Sequence, residues 1–414
     1  MRVVFRPDWS TMRIAVILLR LLLNFIYFFM KLAPTDDRKV VFLSRQSNTP
    51  TDDFLMLREK LEQTKPDIKI VMFTQRVDTN FKSMLSFGVT TLKSMRQLAS
   101  ARVCVLDSYW PAVSMLRHKK QLAVVQMWHA MGKIKKSGYQ SVGKEFGRSS
   151  MIAHELRMHR NYDVIIAGGK AFNPFYCASF GVDESILYNV GLPRMDMLRE
   201  NTEKCRKQFF EAYPELEGKK LVLYAPTFRK GQRLDPKPFV DAFDFNDKQA
   251  LIIKRHPNQL LEHDSLGNAL TCDKVSTATV LSVCDCVVTD YSAITIEAAI
   301  LGKPVYFYLY DYDDYLSKNG LNVKLFDEFS DCIFKDAEKL VEAIDNGHYD
   351  FDNYNRFCAK YLPAPGTRAT DAICALILDC MERDKHDAIN ESIARQNQIS
   401  GIVGNENSVR PESL

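Results

Sequence analysis

Residues Val280 to Tyr308 read VLSVCDCVVTDYSAITIEAAILGKPVYFY. An apolar strand (Cys286 to Val288) runs into a polar turn (Thr289 to Ser292), a helix (Ala293 to Leu301), a Gly-Lys-Pro break and a second apolar strand (Val305 to Tyr308). A short strand that is apolar throughout is buried on both faces, and a crossover helix makes the strands it joins parallel. The stretch is therefore a βαβ unit. Ligands of such sheets bind beyond the carboxyl ends of the strands, the place of Asp290, Tyr291 and Ser292. Ser292 is suited to cap the following helix, whose first N–H groups suit a phosphate. On the local sequence, an ordinary capped turn and a phosphate site stand level.

The same rhythm extends outward in both directions. Upstream, VVFLS, IKIVMFT, VCVLD, LAVVQMW and YDVIIAG alternate with helical segments, among them one from Asp52 to Thr64 and one from Ala171 to Phe180. Near Val190 the texture changes to GLPRMDML and a charged helix, after which LVLYAPTF and ALIIKRH open a second βα series. At 414 residues the chain exceeds what a single core organises, so two α/β, doubly wound domains facing a cleft are expected. The divisions read as 1–38 for an N-terminal segment, 39–195 and 196–383 for the two domains, and 384–414 for a polar, aperiodic tail expected to be disordered.

Composition is that of a globular protein. A formal charge of +4, from 55 Lys and Arg against 51 Asp and Glu, gives no basis for nucleic-acid binding but leaves room for an anionic substrate or an anionic membrane surface. Ten cysteines lack paired metal-ligand spacing and several sit in apolar strands, as reduced thiols in a cytosol would. Ile14 to Leu32 is apolar over nearly the length of a membrane span, yet carries Arg20, Asn24 and Lys31. With Arg13 these are spaced seven, four and seven residues apart and share one narrow helical stripe, with Tyr27 at its edge. That pattern predicts an amphipathic helix lying in the interface of an anionic leaflet with its polar stripe toward water; a membrane span is the second reading.

Residues able to carry chemistry collect where strands end. LAVVQMWHAMGKIKKSGY places His129 directly after a strand, beside Gly132, Lys133, Lys135 and Lys136. A histidine there is suited to take a proton from a hydroxyl at neutral pH. In the second series, LVLYAPTFRKG ends with Thr227 and Arg229, and ALIIKRHPN ends with Arg255 and His256. If the strands are parallel, Arg229, Arg255, His256 and Ser292 lie on one edge, as a diphosphate site requires. The sequence contains no GxxxxGK[ST], strand-following GxGxxG, HExxH or zinc-spaced CxxC pair, so no cofactor and no metal site are assigned and a divalent-metal requirement stays open. The acidic run Asp311 to Tyr315 reads as a solvated loop before a metal site, and Gly191 to Arg194 as an active-site edge or an interdomain turn.

Together, WHAMGKIKKSG, GLPRMD, YAPTFRKG, IKRHPN and TDYSAITIEAAILGKPVYFYLYDYDDY resemble the CDP-glycerol glycerophosphotransferase family of teichoic-acid synthesis, from about Lys39 to the helix after Gly366. The resemblance implies a GT-B fold and a membrane-associated enzyme on the cytoplasmic face. It further implies a CDP-glycerol or CDP-ribitol donor and transfer of a polyol phosphate to a hydroxyl of a lipid-linked acceptor, with release of CMP. It makes His129 and His256 the catalytic histidines, the first as general base and the second as a donor-phosphate contact. It sets Thr289, Asp290 and Ser292 along the CDP-binding edge, with orientation of the turn as the alternative for Asp290, and brings Arg368 to the diphosphate, with Arg229 as a weaker carry-over. Ala293 after Ser292 and Met195 after Arg194 depart from the family's commonest pattern and bear on donor identity. A GT-B glycosyltransferase using a nucleotide sugar, suggested by Glu297 and the following GKPV, and a non-catalytic membrane-bound nucleotide-binding protein are the alternatives.

Overall fold

Strands β1 (Lys39–Ser44), β2 (Lys69–Thr74), β3 (Val103–Leu106), β4 (Ala123–Gln126), β5 (Val164–Ile166) and β6 (Leu187–Tyr188) form one sheet in the order β2-β1-β3-β4-β5-β6. Strands β7 (Lys220–Tyr224), β8 (Gln249–Ile253), β9 (Cys286–Thr289), β10 (Val305–Tyr308) and β11 (Ile333–Phe334) form a second in the order β11-β10-β9-β7-β8. The structure is a computed structural model, which describes residues 9–77, 80–144, 147–229, 232–255, 259–262, 266–347 and 349–406. All pairings within both sheets are parallel. β3, β4, β5, β9 and β10 are buried along their whole length, as their unbroken apolar runs require when helices cover both faces.

Both sheets place their first strand between the second and third of the series, so each has a switch point between its first and third strands. In the first sheet it lies beyond β1 and β3; in the second, beyond β7 and β9. Tyr224 of β7 is in register with Ile253 of β8 and Val288 of β9, which brings the three strand ends to one edge as expected. The two halves meet where the segment after β4 lies along 319–323: Lys135 bridges Leu321, and Asn322 donates to the carbonyls of Lys133 and Lys135.

The chain after Gly366 returns to the first sheet. The helix Ala369–Glu382 packs against α2 (Asp52–Thr64) and β3, with Lys60 paired to Asp371 at 2.8 Å and the Asp196 carboxylate accepting from the amides of Ala369 and Thr370. The end of the second domain at 383 is thus corrected: the helix Ala369–Glu382 belongs with the first sheet. The tail expectation also differs from the structure, since Lys385–Glu406 is helical. Ala388 and Ile389 are buried, and Lys385 reaches Asp163 at 2.7 Å, which anchors an otherwise polar helix.

The largest departure concerns α1 (Trp9–Met30). Its polar stripe faces the protein instead of water. Arg13 bonds Glu155 at 2.9 Å, and Arg20 donates to the Glu155 carbonyl at 2.7 Å. Asn24 donates to the Met115 carbonyl and accepts from the Arg117 amide, both at 3.0 Å. The Tyr27 hydroxyl meets His118 Nδ1 at 2.9 Å, and Lys31 donates to the Arg117 carbonyl at 2.8 Å. Buried backbone and carboxylate groups thereby gain partners that water cannot supply there. The cost is an outward face of bare hydrocarbon, with Leu18 59%, Phe25 64% and Leu32 73% exposed. Beside it, α3 (Phe81–Leu98) exposes Met84, Leu85, Val89 and Leu92.

Candidate active site

The segment leaving β4 turns sharply to present His129. The buried Gln126 side chain accepts from the Trp128 amide at 2.8 Å, and Trp128 takes a left-handed backbone (φ 60°), which a side chain tolerates only when its surroundings hold it there. Lys133 supplies that hold. Its ammonium is buried 4.1 Å from the ring centres of Trp128 and Phe180 and donates to Ser137 and Ser179, each at 3.1 Å. Trp128 in turn packs on the His129 imidazole, ring centres 4.2 Å apart.

His129 Nδ1 lies 3.1 Å from the Asp107 backbone carbonyl and 3.1 Å from the Gln46 side-chain amide. The Asp107 carbonyl only accepts, so a proton on Nδ1 satisfies it and leaves the lone pair on Nε2; in this tautomer the Gln46 amide turns its oxygen, not its NH2, toward Nδ1. Burial pushes the His129 pKa down to about 4; the Asp107 hydrogen bond opposes this, and the charges of Lys133, Arg194 and Lys135 add to it. The ring is neutral at physiological pH. Asp107 itself has a buried carboxyl whose pKa burial raises to about 6.

Across the cleft, the turn after β9 is held by a buried ionic network. Both Asp290 oxygens accept from the Thr227 amide, at 2.9 and 3.0 Å, and one also accepts from the Tyr291 amide at 2.6 Å. Arg229 joins Asp290 and Asp311, each at 2.7 Å, and the Tyr291 hydroxyl donates to Asp311 at 3.0 Å. Burial opposes the Arg229 charge, but the two carboxylates outweigh it and raise its pKa. Asp290 therefore braces the turn, and Arg229, with its charge compensated, braces Asp290. Neither is a free phosphate ligand. Thr289 is fully buried and donates to the Ala225 carbonyl at 2.7 Å, so it closes the strand instead of lining the CDP edge. Ser292 alone of the three faces the cleft, followed by a helix of only seven residues, Ile294–Ile300.

Two cavities flank His129. One, of about 520 Å³, lies between the 128–137 segment and Arg229, Tyr291, Ser292 and Tyr315. The other, of about 490 Å³, is bounded by Gln46, Thr51, Arg194, Ser276, Thr277 and Glu297. His129 lines both. In the second cavity Arg194 bonds Asp53 through its amide and Nε, at 2.8 and 2.9 Å, and approaches Glu297 at 3.6 Å, which puts the Gly-Leu-Pro-Arg turn at the active-site edge. In the first, the half-buried Lys135 has no carboxylate within ion-pair distance among the described residues. Burial lowers its pKa, opposed by the field of Asp290.

The remaining expected site residues separate from this cleft. Arg255 is exposed, donates to the Gln259 carbonyl at 2.7 Å and lines neither cavity. Arg368 is exposed, paired with Glu200 and, at 2.9 Å, with Asp371, and lines neither cavity. His256 lies outside the described residues. Asp311 of the acidic run serves Arg229, and Asp314 pairs with Lys318 at 2.7 Å. Gln46 and Asp107 were not among the residues expected here; they follow β1 and β3 within two residues, so the strand-end rule applied to the first domain points to them.

A profile of the family described as CDP-Glycerol:Poly(glycerophosphate) glycerophosphotransferase matches residues 25–379. The chain is 29% identical over 361 residues to the teichoic acid ribitol-phosphate primase of Bacillus spizizenii, covering 84% of this chain and 92% of that protein. It is 25% identical over 340 residues to the teichoic acid glycerol-phosphate primase of Bacillus subtilis, covering 78% and 87%. Its fold is similar to that of the wall teichoic acid polymerase TagF in a structure soaked with CDPG, with a TM-score of 0.69 at 17% identity over 92% of this chain and 97% of that one. The family match runs from α1 through both sheets and both walls of the cleft, and the chain belongs to the CDP-glycerol:poly(glycerophosphate) glycerophosphotransferase family.

Proposed function

We propose that this phosphotransferase of teichoic-acid synthesis moves a polyol phosphate, glycerol phosphate foremost, from a CDP-alditol to a hydroxyl of a lipid-linked acceptor at the cytoplasmic face of the membrane. The supporting observation is His129, tautomer set by the Asp107 carbonyl, standing on the wall of both cavities. One cavity then takes the donor and the other the acceptor, and the two reactants meet at the imidazole. In this reading the architecture is of the GT-B type.

The reaction forms a bond from the acceptor oxygen to the phosphorus bearing the polyol and breaks that phosphorus's bond to the oxygen retained by CMP. The hydroxyl proton passes to His129 Nε2. A pKa near 4 makes the ring a resident neutral base, and the negative charge of a bound diphosphate raises its proton affinity at the moment the proton arrives. Lys135 and the Ser292 hydroxyl stabilise charge on the diphosphate, while the Arg229–Asp290–Asp311 network fixes the turn that presents Ser292. His256 keeps the donor-phosphate role implied by the family pattern. The outward hydrocarbon face of α1 suits a leaflet that also holds a lipid-linked acceptor.

The test is a panel of CDP-glycerol, CDP-ribitol, UDP-sugars and GDP-sugars with a lipid-diphosphate-disaccharide acceptor, monitoring CMP release and product mass. CMP is expected only when a CDP-alditol and the acceptor are both present. Turnover confined to a nucleotide sugar overturns the reading.

A further inference from the structure

A third cavity, of about 310 Å³, lies on the flank of α1, far from the cleft in sequence and lined by none of its residues. Four of its lining residues are cationic, Arg20, Lys31, Arg117 and Arg157, and none is acidic. The nearby carboxylate, Glu155, is already shared between Arg13 and Arg20. Lys31 donates to a neutral carbonyl, that of Arg117, and lies over the Tyr27 ring, with no carboxylate in ion-pair distance among the described residues. Partial burial, and then repulsion from Arg20, Arg160 and Arg117, lowers the Arg157 pKa. Arg157 is set in place by a left-handed backbone (φ 47°) in a loop that Asn161 pins to the carbonyls of Val113 and Leu116. Four cations against one shared carboxylate leave a net positive charge that is complementary to an external anion.

The other lining residues identify where that anion comes from. Phe25 and Phe28 form the rim, and both belong to the outward hydrocarbon face that α1 shares with α3. An anion reaching the cavity therefore sits at the level where an apolar surface gives way to charge, the level of a lipid phosphate above its acyl chains.

We propose that Arg20, Lys31, Arg117 and Arg157 form a binding site for the phosphate of an anionic membrane glycerophospholipid, whose acyl chains lie along Phe25 and Phe28. The proposal rests on α1 being seated in the membrane and adds to it a lipid preference and a fixed point about which the cleft is oriented toward the leaflet.

The experiment is flotation of the full-length protein with vesicles of phosphatidylcholine alone or of phosphatidylcholine containing phosphatidylglycerol. It compares the wild type, the pair Arg117→Glu with Arg157→Glu, and the pair Lys204→Glu with Lys207→Glu, which makes the same charge change at exposed positions remote from α1. Thermal unfolding and CMP release from a soluble acceptor analogue confirm that each variant is folded. The wild type is expected to favour phosphatidylglycerol vesicles by about tenfold or more; the arginine pair is expected to lose that preference yet still float with phosphatidylcholine, and the lysine pair to keep it. If the arginine pair retains the preference, or the lysine pair loses it equally, the site is overturned while the membrane seat stands. If the wild type floats with neither vesicle, the membrane seat fails and takes the proposal with it.

Discussion

His129 Nδ1 lies 3.1 Å from the Asp107 backbone carbonyl, a contact between the end of β4 and the end of β3. The acceptor is a main-chain atom, so no substitution of the Asp107 side chain removes it directly. The tautomer of the proposed base is thus built into the sheet itself, with Trp128 and Lys133 setting the ring's plane.

Replacing His129 with Ala is expected to lower CMP release by about a hundredfold to ten-thousandfold, the range for loss of a positioned base, with donor affinity nearly unchanged. The acid limb of the free enzyme's pH profile should fall near pH 4, because the base form is populated above the depressed pKa and lost only as pH drops through about 4. An acid limb at or above 6.5, or substantial turnover by the Ala variant, would remove His129 from this role.

Arg229 and Lys135 are expected to part company under mutation. Arg229→Ala leaves the buried Asp290 and the half-buried Asp311 without their cation and should destabilise the protein by about 3–5 kcal/mol, with activity lost through the turn. Lys135→Ala breaks no ion pair and should raise the donor KM by about tenfold or more at unchanged Tm. The measurements are chemical denaturation and donor titration of each variant; equal losses of stability in both would show that Lys135 is structural.

How much of this could be read in advance depends on the range of the interaction concerned. The βαβ unit at 280–308 was legible because strand burial and helix breaks are local: the strand runs to Thr289 and the helix occupies Ile294–Ile300, within a residue of the reading. Asp290 and Ser292 were legible as a turn, but not that Asp290 looks inward, since its cation and the partner of that cation come from β7 and β10. Thr289 continues the buried run of β9, and its inward hydroxyl finds a carbonyl on the neighbouring strand. For α1, periodicity established that Arg13, Arg20, Asn24, Tyr27 and Lys31 share a face. It says nothing about whether that face meets water or a protein surface, because Glu155, Met115, Arg117 and His118 lie 86 or more residues away in sequence. The final helix carries a short apolar face, with Ala388 and Ile389 buried ahead of Ser392 and Gln396 on later turns, too sparse to stand out from a polar tail.

Stability is expected to fall on acidification from pH 6.5 toward 3. Burial depresses the pKa values of His118, His129 and His159 to about 4, 4 and 3, whereas in the unfolded chain an imidazole titrates near 6.5. The folded state therefore binds these protons less readily, and their contribution is complete above about 6.5 and lost as pH falls through the folded values. Asp107, with its pKa raised to about 6, acts in the opposite sense over the same window and offsets one part of three. Denaturant midpoints measured across this range should flatten in a His118→Gln variant; an unchanged slope would mean that His118 is protonated in the folded protein.

The two faces of α1 should separate membrane binding from stability. Leu18, Leu22 and Phe29 are more than half exposed and make no contribution to the docking stripe, so their joint replacement by Ser should leave Tm within the small range of surface substitutions. Each side chain is worth about 1.5–3 kcal/mol in a hydrocarbon environment, and the triple variant should lose at least about a hundredfold in vesicle partitioning. Glu155→Ala is the converse: it strips Arg13 and Arg20 of their carboxylate, loosening α1 from the first domain and lowering Tm while the apolar face is untouched. Differential scanning of both variants alongside vesicle flotation decides the matter. A triple-Ser protein that still floats would place the membrane contact elsewhere, on α3 or beyond, and would leave the bare face of α1 without a partner.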